Sequence, residues 1–177
     1  MMDLEARYQV VLQELAKGAR GLQRYSPEEV AQLREALQTS VSLTPTLCLV
    51  THAAYPERSF EPILLELMQK PLSSSEMVYV LNAARKHIMQ ARFKEGLRLD
   101  LDFLERLRSL LRNSDPEVIE WTLRTVEECG SQGVLLSKDV AAVRPKVFSL
   151  WRAQNRTILE LVTLLQRRWN PTHDQKR

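Results

Sequence analysis

Residues 99–130, LDLDFLERLRSLLRNSDPEVIEWTLRTVEECG, carry two apolar stripes of helical period separated by Asn113-Ser114-Asp115-Pro116. Phe103, Leu104, Leu107, Leu110 and Leu111 recur at three- and four-residue spacing, which lays one apolar stripe along a helix. Asp102 and Arg106 stand four apart with the acid first, the favourable order for an ion pair on a helix surface. A residue before proline avoids the α region, and proline suits a first helical position, where its missing N–H is not needed. Asp115 is therefore the expected N-cap of a second helix opening at Pro116. Val118, Thr122, Val126 and Cys129 form the inner face of that helix, widened by Ile119 and Leu123. Gly130 is placed to end it, since the position after a helix often needs φ > 0. Glu127 and Glu128 oppose the helix dipole in the last turn, so a basic neighbour is expected there, with Arg124 the nearest candidate.

Leu110-Leu111-Arg112-Asn113-Ser114-Asp115-Pro116-Glu117-Val118, followed by a helix ending at Gly130, resembles a HEAT or armadillo-like repeat. Ile119 stands where such repeats usually carry arginine, and Trp121, Thr122 and Thr125 occupy positions often filled by alanine. The segment 63–85 echoes 104–124: Leu67-Met68-Gln69-Lys70 aligns with Leu110-Leu111-Arg112-Asn113, and Glu76-Met77-Val78 with Glu117-Val118-Ile119. The offset of 41 to 43 residues fits a solenoid of helix pairs. The resemblance implies an all-α fold, a short α-solenoid of antiparallel helix pairs with about seven or eight helices. It specifies a packing mode and carries no chemistry of its own.

Repeated start signals support the all-α class. Leu4, Tyr8, Val11, Leu15, Gly18 and Leu22 make one stripe, predicting a helix over 3–23. Ser26-Pro27-Glu28-Glu29 reads as cap, first-position proline and capping box, opening a helix to about Gln38. Thr44-Pro45 repeats the device ahead of Leu47, Cys48, Leu49 and Val50, which are apolar on all sides and predict a buried helix. His52 at its end reads as a hydrogen-bonded structural histidine. Ser59 is expected to open a fourth helix with Phe60, Ile63, Leu64, Leu67 and Met68 inward. Ser73 and Glu76 form another capping box, predicting a long helix to about Glu95 with Met77, Leu81, Ala84, Ile88 and Ala91 as its core face. Its basic run, Arg85-Lys86-His87 through Arg92, Lys94 and Arg98, reads as a solvated face. With only 5 glycines in 177 residues, little of the composition argues against helices. The expected organisation is a single helical repeat domain over 1–170 and a flexible tail over 171–177.

After Gly133, either Ser137 or Asp139 can start the final helical region. Pro145 either kinks it near Ala141 or opens a fresh helix. From Val147 to Trp169 the apolar set is Val147, Leu150, Trp151, Ile158, Leu161, Val162, Leu165 and Trp169, opposite Ser149, Arg152, Arg156, Glu160, Thr163 and Arg167. Net charge is +3, but residues 131–177 hold 9 basic and 3 acidic side chains, giving +6 to the C-terminal quarter. Between 144 and 169 only Glu160 is acidic. Arg144, Lys146, Arg152, Arg156, Arg167 and Arg168, with Trp169 at the rim, are accordingly the candidate partner-binding residues. Arginine favours a bidentate grip on carboxylate or phosphate.

No HExxH, glycine-rich phosphate loop, GxSxG or paired CxxC occurs, so no catalytic, cofactor-binding or metal-binding residues are assigned. Cys48 and Cys129 lack metal-ligand spacing and read as buried reduced thiols. Asn155-Arg156-Thr157 matches a glycosylation sequon but falls inside a predicted helix. No apolar run approaches the roughly 20 residues that span a bilayer, and MMDLEARYQ lacks the apolar core of a signal peptide. Cytoplasm is the expected location. The expected function is that of a non-catalytic adaptor, gripping an acidic surface or peptide of a protein partner through the basic C-terminal helices. The alternative is a HEAT-like protein that binds nucleic acid with the same face. Attachment to a membrane surface ranks below both.

Overall fold

A computed structural model describes residues 2–143 and 153–170. Every regular element among them is helical, and the only strand-like feature is an isolated parallel bridge between Gln23 and Ala53. Contacts gather into two compact units, Met1–Arg98 and Leu99–Arg177. That boundary falls within the 1–170 span read from sequence as one domain.

In the first unit the helices are α1 (Leu4–Ala16), α2 (Pro27–Thr39), α3 (Thr44–Thr51), α4 (Glu61–Leu67), α5 (Ser74–Ala84) and α6 (Ala91–Lys94). A 3-10 turn, Arg58–Phe60, precedes α4, and a π-turn, Arg85–Gln90, joins α5 to α6. Ser26 and Ser73 form the expected capping boxes with Glu29 and Glu76. At α3 the cap differs, because Leu43 takes that position and makes no side-chain cap, while Thr44 lies inside the helix. Thr46, Leu47, Cys48, Leu49 and Val50 are all buried, as an all-round apolar helix requires. The reason is position: α3 packs against α1, α2 and α5.

The first helix is shorter than 3–23. Gly18 adopts φ +76° and donates its N–H to the Leu15 carbonyl, while Ala19 donates to Glu14. This pair of bonds is a Schellman end, which only a residue tolerant of the left-handed region makes without strain. Beyond it the chain runs to Gln23, whose N–H donates to the His52 carbonyl (2.9 Å). The stripe at Leu22 thus continues the helical spacing without continuing the helix.

Of the basic run over 85–98, Lys94 and Arg98 are exposed, but Lys86, His87 and Arg92 do not form a solvated face. Lys86 sends Nζ to the carbonyls of Thr51 (2.8 Å) and Ala53 (2.6 Å). His87 is fully buried; it accepts from the Glu57 N–H at Nδ1 and donates from Nε2 to the Val50 carbonyl, both at 2.9 Å. A helix leaves its last carbonyls without internal partners; here Lys86 takes that of Thr51, and His87 shares that of Val50 with the Ala53 N–H. Arg92 is also buried and donates Nε to the Glu61 carboxylate at 3.0 Å, tying α6 to α4.

In the second unit the helices are α7 (Leu101–Leu110), α8 (Pro116–Glu128), α9 (Ser137–Ala142) and α10 (Ala153–Trp169), with a 3-10 segment, Gly130–Leu136, before α9. All five apolar residues predicted for the stripe of α7 are buried. Asp115 caps α8, its carboxylate accepting from the Glu117 N–H at 2.8 Å. Gly130 takes φ +59° just beyond the helix end. Thr122 and Thr125 are buried and donate their hydroxyls to the carbonyls of Val118 and Trp121, four residues back. Threonine is thereby accommodated at both buried positions, because neither hydroxyl is left without a partner.

Candidate functional site

The candidate face belongs to α10. Ile158, Leu161, Val162 and Leu165 are buried on one arc, and the helix packs on α8 and α9. Asn155 joins that arc and is buried too, so the sequon asparagine is inaccessible to glycosylation in the folded unit. Such spacing turns Arg156, Glu160, Thr163 and Arg167 outward in one row, and all four are exposed. Arg156 and Arg167 are eleven residues apart, which at 1.5 Å per residue separates them by about 16 Å along the axis.

The other expected site residues divide. Arg144, Lys146 and Arg152 lie outside the described residues, as do Val147, Leu150 and Trp151. Arg168 lies on the flank of the helix and pairs with Glu127 (3.3 Å). It is the basic neighbour that the acidic end of α8 requires; Arg124 is not, since it reaches back to Glu120 (2.8 Å). Helical periodicity could not separate these options, because Arg168 is distant in sequence and arrives by tertiary packing. Trp169 is only partly exposed, and its ring lies over Gly133, where an added Cβ would stand 3.1 Å from Cζ2. Its indole N–H is buried and has no hydrogen-bond partner among the described residues. Trp169 thus anchors the end of α10 against the 3-10 segment.

Two exposed residues escaped the sequence reading. Leu159 (39 % exposed) and Leu164 (43 %) flank the outward row on either side. The available signal was angular: both are apolar, yet around the helix each falls nearer the row of Arg156, Glu160, Thr163 and Arg167 than the arc of Ile158, Leu161 and Leu165.

Several titratable groups elsewhere are occupied with structure. The His52 Nδ1 lies 2.8 Å from the Cys48 carbonyl, which can only accept, so that nitrogen carries the proton. It therefore cannot take a proton from the Cys48 thiol 3.7 Å away, a thiol that burial raises above its ordinary pKa. Burial likewise pushes the Cys129 thiol up to about 12. The imidazole of His87 is brought down to about 4, chiefly by burial. Burial raises the Asp139 carboxyl, but hydrogen bonds from Arg108 (2.8 Å) and Arg112 (3.1 Å) outweigh it and hold the group below its usual range. Arg108 also pairs with Glu105. Among the described residues no three His, Cys, Asp or Glu side chains gather as metal ligands, and no helix is long and apolar enough to cross a membrane.

Taken by fold, the chain is an all-α protein of two compact helical units. No family model matches it, and no curated protein and no solved structure matches it either.

Proposed function

We propose that this chain is a non-catalytic interaction module, built of antiparallel helix pairs in the manner of a short α-solenoid, that holds an acidic surface of a protein partner. The single observation that supports the reading is the placing of Arg156 and Arg167 on one outward row of a helix whose opposite arc is buried. Two guanidinium groups on a backbone fixed by packing lose less freedom on binding than two on a loose segment. The cytoplasm remains the proposed location.

A face of this kind could serve phosphate as well as carboxylate, and Glu160 between the two arginines favours the protein partner. A continuous row of phosphates would bring a negative charge against that carboxylate, whereas a protein can leave the position neutral. The test uses a labelled helical peptide of about 18 residues with glutamates towards both ends and alanines between them. Wild-type protein should bind it, and Arg156→Glu with Arg167→Glu should weaken binding at least about tenfold while helicity by circular dichroism is unchanged. Binding unaffected by the reversal overturns the proposal. So does tighter binding of a short DNA duplex with a steep salt dependence, since that dependence is the mark of phosphate contacts.

A further inference from the structure

The reading of a basic face leaves Leu159 and Leu164 unexplained. Each is a large apolar side chain open to water on a helix whose inner arc already supplies a full apolar stripe. Scattered exposed leucines are ordinary on protein surfaces. These two are not scattered: they sit on either side of the row Arg156, Glu160, Thr163 and Arg167, at turns between the two arginines. Thr163 presents no hydroxyl donor outward, since its Oγ1 donates to the Leu159 carbonyl (2.8 Å). The face therefore has cations towards its ends, apolar flanks in the middle and one carboxylate at Glu160.

That order is not suited to a uniform polyanion. It is complementary to an amphipathic helix with acidic residues near both ends of about three turns and apolar residues between them, left neutral opposite Glu160. The side-chain rows of a helix lie in steps of three and four residues, so a second helix can seat its ridges beside Leu159 and Leu164 while its acids reach Arg156 and Arg167. An extended strand, with side chains alternating every two residues, does not match those steps. We infer that the partner docks on the outer face of α10 as an acidic amphipathic helix, its apolar side chains resting on Leu159 and Leu164. This inference rests on the proposed basic face and adds the apolar half of the contact.

The experiment compares two labelled helical peptides with the full-length protein. The first has the glutamates and the alanine centre described above; the second replaces two central alanines, four apart, with leucines. The second should bind about tenfold more tightly. The added affinity should survive raised salt, because apolar burial is not screened as charge pairing is. In protein carrying Leu159→Ser and Leu164→Ser, both exposed positions that tolerate a polar residue, the two peptides should bind alike. Equal binding of both peptides by wild-type protein overturns the inference and leaves the basic face standing. Binding of neither removes the basic face as well. A leucine gain that persists in the double serine variant places the apolar contact elsewhere and also overturns the inference.

Discussion

His87 shows how one side chain can be committed wholly to structure. With Nδ1 accepting and Nε2 donating, the ring is held neutral between the Glu57 N–H and the Val50 carbonyl. Its edge also meets Phe60 with centroids 4.9 Å apart. Protonation would put a hydrogen where Nδ1 must accept, and would place a charge where no water reaches. The unfolded imidazole titrates near 6.5 and the folded one near 4, so between those values the unfolded chain binds the extra proton. Stability from this group is complete above pH 6.5 and declines as pH falls to about 4, by roughly 3 kcal/mol in all. Urea titrations across that range should show the decline in wild-type protein and a flatter curve in His87→Gln. Taking the difference between the two cancels carboxylates such as Asp139, which are common to both. A slope identical in both proteins would contradict the assignment.

At the scale of elements, the units are held by side chains that finish helices other than their own. Lys86 and His87 complete the end of α3, Arg92 joins α6 to α4, and Arg168 supplies the cation that the end of α8 needs. Asp139 plays the equivalent part for α7 and α9 through Arg108 and Arg112. The seat of α10 depends on the absence of a side chain at Gly133. A Cβ there would lie 2.9 Å from the Val126 carbonyl oxygen and 3.1 Å from the Trp169 ring. The carbonyl belongs to a helix and cannot move aside, so Gly133→Ala should cost about 1–3 kcal/mol. Chemical denaturation would measure the loss, and tryptophan emission should shift as the Trp169 ring leaves its place. An unchanged midpoint would show that the segment yields more readily than its packing implies.

At the scale of the molecule, each unit has its own buried centre: Leu47, Leu49 and Val50 with Leu64 and Leu81 in one, Phe103, Leu107, Leu123 and Leu165 in the other. A unit with its own core can fold alone. Chains comprising 1–98 and 99–177, expressed separately, should each be helical, with far-UV spectra summing to that of the whole protein. A fragment without helicity would show that the core it contains is insufficient.

What could be read from sequence was local. The caps at Ser26, Ser73 and Asp115, the helix end at Gly130 and the stripes of α7 and α8 follow from dihedral preferences and hydrogen bonds reaching three or four residues. The fates of Lys86, His87, Arg92 and Arg168 could not be read in that way, because a charge is solvated or buried according to residues some 30 to 40 positions away. The outward row of α10 was legible from periodicity, and so was the lie of Leu159 and Leu164 beside it; the anchoring of Trp169 was not. The sequence by itself therefore determined the helix starts at Ser26, Ser73 and Asp115, the end at Gly130 and the apolar stripes of α7 and α8, through forces that act within a turn. The tertiary structure alone decided which polar groups complete a neighbouring helix and which stay at the surface, since that depends on what each side chain finds beside it.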